Sequence, residues 1–186
     1  MRAFNLAVVG LLAASSNGIT PAAQASTLSW TAPADIAAFG KRSISLIQAI
    51  SVAQRQTNGR ALHADFRAAQ GKGVFEIEIL ANGAVTDVTI DGKSDKVIDT
   101  EPAGTADALP NDAKAVARAP VTLEDAAAQG DELGDWAVDA GFENIAGKAA
   151  YRVDILTDSK LSTIAIDPQS GKAVQSTKRQ AGGAVN

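Results

Sequence analysis

Three carboxylates crowd one short stretch of this chain. "VFEIEILANGAVTDVTID" (residues 74–91) alternates apolar and polar on both sides of Asn82-Gly83. Asn-Gly between alternating runs is the strongest short-range signal for a two-residue hairpin. With those two residues in the turn, Ala81 pairs with Ala84, Leu80 with Val85 and Glu78 with Asp87. Two carboxylates then oppose each other across the ladder, where like charges repel. Glu76 lies on the same face two residues along. Clustered carboxylate oxygens are what a hard cation requires, so Glu76, Glu78 and Asp87 form a candidate site for Ca²⁺ or a trivalent ion of similar size. No other cofactor is indicated. The alternative is a solvated face into which Arg67 or Lys72 leans from neighbouring strands; exposed like-charge pairs cost only ~0.2–1 kcal/mol. Asp91, Asp95 and Asp99 add acid nearby, but Asp87 and Asp91 on one strand stand ~13 Å apart. Asp91 and its later counterpart Asp167 also suit turns, where Asp accepts from backbone N–H groups two residues on.

Other chemistry is largely excluded. The chain has no Cys and one His, which removes thiol catalysis and a His/Cys zinc site. His63 alternates with apolar Leu62 and Ala64 in "ALHADF" and reads as the polar-side residue of a strand rather than a base, since a base needs an orienting partner. "GFENIAGKA" has the wrong spacing for a phosphate loop, has Ala149 where Ser or Thr belongs, and leads into a strand. "IDGKSDK" lacks the alternating acids and closing Glu of an EF-hand.

The elements that hold the acids occur twice. A shift of 76 residues lays "AYRVDILTDSKLSTIAID" (150–167) under the first hairpin, with Phe75 on Tyr151, Ile77 on Val153, Val88 on Ile164 and Asp91 on Asp167. The match runs back through "ADFRAAQGKG" over "AGFENIAGKA". With one further residue of shift it reaches "ISLIQAI" over "VTLEDAA". A structural repeat follows. The second copy replaces Glu76 with Arg152 and Asp87 with Thr163, so the acid trio belongs to the first copy alone.

Each copy opens with a helix. Ser45 with Gln48 and Thr122 with Asp125 are N-terminal caps, and Leu46, Ala49, Ile50 and Ala53 follow at helical spacing. Gly130 and Gly134 weaken the second helix, which should end early or fray. Strands are expected at about 60–68, 74–81 and 84–91, with a short fourth at 96–99. In the second copy they are expected at about 136–142, 149–157 and 160–167, with a fourth at 173–176. The inward set is Phe75, Ile77, Ile79, Val88 and Ile90. One apolar face calls for a helix cover, so the fold class is α+β: two repeated units, each one helix packed on a small antiparallel β-sheet.

The organisation expected is a signal peptide over 1–25, an N-terminal extension over 26–42 holding Trp30 as a packing residue, unit 1 over 43–101, a linker over 102–120, unit 2 over 121–178 and a disordered tail over 179–186. Arg2, the apolar "LAVVGLLAA" and the small residues of "AQA" give the signal peptide its three parts, with cleavage near Ala25. Within the connector, "NDAKAVARA" forms either a short helix or a flexible segment. Net charge is −4, and −5 once Arg2 is removed with the signal peptide, which argues against nucleic acid or anionic lipid as primary partners. No later segment has the length and apolarity for integral membrane association.

The order of helix, strand, Gly-Lys turn, "FEIEI", turn and "VTIDGKSDKV" resembles a PepSY domain, and "VTLEDAA…YRVDIL…STIAIDPQSGKAV" resembles it more closely. The likeness covers 43–101 and 121–178; Ser94-Asp95 departs from it where the second copy has Ser170-Gly171. The resemblance implies a non-catalytic binding or inhibitory module, not an enzyme, outside the cytoplasm as a periplasmic or secreted protein. Its implied partner is another periplasmic or secreted protein, a secreted peptidase among the candidates, and no catalytic residues carry over.

Overall fold

The computed structural model describes residues 33–133, 136–145, 147–158 and 160–179. The expected signal peptide and Trp30 lie outside them.

Capping starts the two main helices where the sequence places them. α2 (Leu46–Thr57) begins at Ser45, whose Oγ accepts from the Gln48 N–H while Gln48 Oε1 accepts from the Ser45 N–H. α4 (Leu123–Leu133) begins at Thr122, which exchanges the equivalent bonds with Asp125. Each satisfies donors that a helix start leaves unpaired. Asn58 ends α2 in the left-handed conformation, with φ 52°. Two shorter helices complete the layer: α1 (Pro33–Phe39) and α3 (Asn111–Ala117), the second being the helical alternative for the connector.

Eight strands follow in two sets of four: β1 (Arg60–Ala69), β2 (Lys72–Ala81), β3 (Ala84–Asp91) and β4 (Val97–Thr105), then β5 (Trp136–Ile145), β6 (Lys148–Thr157), β7 (Lys160–Ile166) and β8 (Ala173–Arg179). The fold is α+β, with all eight strands of the described residues in one antiparallel sheet of order β4-β3-β2-β1-β5-β6-β7-β8. The first strands of the two halves pair with each other, Ala64 with Ala140 and Asp65 with Asp139, so the small sheets fuse into one. Both halves carry a bulge at the same place, at Leu62 in β1 and at Val138 in β5.

The outer strands exceed expectation. β4 runs through Thr105, into the segment read as linker, and β8 runs through Arg179, where a tail was expected. Their residues lack the alternating apolar pattern that marks a half-buried strand. Backbone pairing to β3 and β7 holds them instead.

The core lies between the helices and one face of the sheet. Phe75, Ile77, Ile79, Val88 and Ile90 are all fully buried, joined by Val153, Ile155 and Ile166 from the second half. Helix α2 packs on β1 and β2, α4 on β5 and β6, and α2 touches α4. Polar contacts also cross between the halves. Gln54 Nε2 donates to Glu124, and Arg60 donates to the carbonyls of Ala119 and Val121. The Arg42 guanidinium stands 3.5 Å from the Phe39 ring centroid and 4.3 Å from that of Trp136.

Candidate functional site

Alternation along the strands sends the polar residues to the face opposite the core. The hairpin register is the one the sequence dictates: Glu78 pairs with Asp87, and Ala81 with Ala84 around Asn82-Gly83. Burial, then mutual repulsion, raises the Glu78 carboxyl above its usual range. Burial likewise raises Asp87, and Glu101 on β4, its cross-strand partner, adds to the rise. Glu76 is not free to join them. It pairs with Thr89 across the ladder and forms an ion pair with Arg67. Among the described residues, no group of three or more His, Asp or Glu is placed to hold a metal ion. Glu78 and Asp87 are thus cross-strand partners, and Glu76 is paired with the arginine that the solvated-face alternative named.

A longer arrangement emerges one rung along. Glu76, Asp65, Asp139 and Asp154 are successive cross-strand partners on β2, β1, β5 and β6. Four carboxylates therefore form a row across the middle of the sheet, and three of them are buried: Asp65, Asp139 and Asp154. Like charges so aligned are destabilising unless cations stand between them. Arg152 bridges the second-half pair. Its Nη2 donates to Asp139 Oδ1 at 2.6 Å and its Nη1 to Asp154 Oδ2. Thr163 Oγ1 donates to Asp154 Oδ1 at 2.6 Å. Burial opposes the charge on Arg152, and the two aspartates outweigh it, so its pKa is raised.

Between Asp65 and Asp139 the intervening group is His63, a cation only when its imidazole is protonated. Its Nδ1 lies 3.8 Å from Asp65 Oδ1 and its Nε2 3.6 Å from Asp139 Oδ2. These are ion-pair distances, too long for hydrogen bonds. Asp139 Oδ2 is buried without a hydrogen-bond donor. Burial lowers the His63 pKa; Asp139, Asp65 and Glu78 outweigh it and raise the value overall. Asp65 is pushed up to about 6, chiefly by burial, with His63 and Arg67 pulling the other way and Asp139 and Asp87 adding to the rise. His63 does lie on the polar side, as its alternation predicts, but enclosed by acids. Both ring nitrogens face carboxylates, an arrangement that orients a charged imidazolium and leaves neither nitrogen directed at a substrate. Gly141 makes room for the ring, since a Cβ there would meet His63 Cδ2 at 2.7 Å.

The sequence reading missed this row because its members lie far apart in the chain. The signal available was Asp139 itself, an acid amid the apolar positions of "WAVDAGF", which the repeat lays over His63. The turn reading of Asp91 and Asp167 is met in full. Asp91 Oδ1 accepts from the N–H groups of Lys93 and Ser94, and Asp167 Oδ1 from those of Gln169 and Ser170. Those bonds hold both carboxyls below their usual range.

Residues 43–101 match the family model described as peptidase propeptide and YPEB domain, PepSY, the family the first half resembles in sequence. No curated protein matches the chain significantly. One solved structure similar to it is that of a candidate lipoprotein of Clostridium difficile 630, at 12% identity and a TM-score of 0.44, covering 74% of this chain and 95% of the other.

Proposed function

We propose that this chain is an exported, non-catalytic binding module that takes an extended segment of another extracytoplasmic protein onto the free edge of its sheet at β8. The observation that carries the reading is the strand order, in which β4 and β8 each have one side unpaired among the described residues. A free edge presents a row of backbone donors and acceptors to any extended peptide, and side-chain contacts then add specificity. The two edges differ. β4 contains Pro102 and Gly104 and the acids Asp99 and Glu101, features that discourage strand addition. β8 is free of Pro and Gly. Val174, bulged out of the β7–β8 ladder, is 57% exposed and offers an aliphatic contact beside the edge.

The PepSY match over 43–101 supports a binding rather than a catalytic role, and its description makes a secreted peptidase the first class of partner to test. Export is supported by the features of residues 1–25, and among the described residues no helix is long and apolar enough to cross a membrane. A hard-cation site at Glu78 and Asp87 has less behind it, because Arg67 occupies Glu76.

Adjacent residues of a strand point their amides to opposite sides. Ser176→Pro and Thr177→Pro therefore remove one donor facing β7 and one facing outward. The outward variant should lose capture of a periplasmic partner while keeping the wild-type melting temperature. Undiminished capture by both variants overturns the reading.

A further inference from the structure

The row of buried acids is bridged by cations of two kinds. Arg67 serves Glu76, and Arg152 serves Asp139 and Asp154. Arginine stays charged at every physiological pH. The central gap, where the halves of the sheet meet, is served by the single histidine of the chain. Only here does the charge that offsets two opposed carboxylates depend on a proton that leaves near neutrality.

We propose that His63 is a proton-operated clasp on the seam between the two halves of the sheet, holding Asp65 and Asp139 together across the β1–β5 ladder when protonated and releasing that ladder when neutral.

Three observations support it independently. The ladder is short, with two paired positions, and one of the two is the Asp65–Asp139 pair. Asp139 Oδ2 is buried and has no donor, Arg152 bonding the other oxygen, and His63 Nε2 stands 3.6 Å from it. The remaining charged groups around the ring are mostly acids: Glu78 on β2 and Asp87 on β3, with Arg67 turned to Glu76 and Arg152 turned to Asp139 and Asp154. Loss of the His63 proton thus leaves opposed carboxylates in a poorly solvated seam, where removing one partner of a buried pair is costly. The Gln54–Glu124 bond and the Arg60 bonds to Ala119 and Val121 keep the halves attached, so release is local to the ladder. A seam that responds to pH suits a protein exposed to the outside medium, and the proposal stands whether or not β8 binds a partner.

The test follows the imidazole resonance of the lone histidine by NMR, together with amide hydrogen exchange at 63–66 and 138–141, across pH 5 to 9. The His63 midpoint should lie above the ordinary 6.5. Protection of the seam amides, corrected for intrinsic exchange, should fall as that proton leaves, with the same midpoint as the imidazole resonance. His63→Gln should show weak protection at pH 8, recovering only towards about pH 6 and below, where Asp65 takes up its own proton, and Asp65→Asn should keep its protection at pH 8. A midpoint at or below 6.5, flat protection in the wild type, or an Asp65→Asn profile that tracks the wild type overturns the proposal.

Discussion

Asp65 and Asp139 are cross-strand partners in the β1–β5 ladder, with His63 set 3.8 Å from the first and 3.6 Å from the second. A protein that joins its two halves through opposed acids has tied that junction to proton concentration.

Stability should therefore fall from mildly acidic to alkaline pH. Asp65 has a folded pKa of about 6 against an ordinary 3.8. The folded state binds this proton more tightly than the unfolded state, so its contribution is full below about pH 4 and is lost as pH climbs through 6. His63 is also raised, and its contribution is lost as pH rises above 6.5. Asp91 and Asp167, both lowered, act oppositely and lose theirs as pH drops below 3.8. Thermal unfolding should show its maximum near pH 4 and decline above it. Asp65→Asn should stabilise the protein relative to wild type more at pH 8 than at pH 4.5, by on the order of 2 kcal/mol in unfolding free energy.

Arg152 holds two buried aspartates at once. Arg152→Ala leaves both without their cation and should cost about 3–5 kcal/mol in urea unfolding at pH 7. Adding Asp139→Asn should recover part of that loss, since it deletes one of the stranded charges; strict additivity of the two substitutions would deny the coupling.

Gly130 sits inside α4, where Ala is ordinarily preferred by roughly 1 kcal/mol. A Cβ there would stand 2.7 Å from Val153 Cγ1, a stiff, fully buried side chain on β6. Gly130→Ala should destabilise by about 1–3 kcal/mol despite its better helix propensity. The sequence presents this glycine as a weakness of the helix; packing gives it a purpose.

Titration of Ca²⁺ and then a lanthanide by calorimetry should give no saturable heat that Glu78→Gln/Asp87→Asn removes. The third carboxylate, Glu76, is engaged by Arg67. Arg67→Ala frees it and is the variant in which binding, if acquired, should appear.

Much of this fold is legible in the sequence because it is local. Ser45 with Gln48, the Asn82-Gly83 turn, the Glu78–Asp87 register and the apolar set on β2 and β3 are all decided by residues within a few positions of one another. The full length of the edge strands is not visible in the sequence, because β4 and β8 are held by backbone pairing and carry little apolar pattern. The seam was not legible. Nothing local says that β1 pairs with β5, and without that pairing His63 is a lone polar residue and Asp139 an anomaly in an apolar strand. The bulges at Leu62 and Val138 are equally silent in the sequence, yet each shifts the register just before His63 and Asp139.

The most direct test of the proposed binding role is hydrogen-exchange footprinting of the chain with a captured extracytoplasmic partner. The account predicts new protection confined to the amides of β8, from Ala173 to Arg179, with β4 unchanged. Protection on the outer faces of α2 and α4, with β8 exchanging as in the free protein, would contradict it.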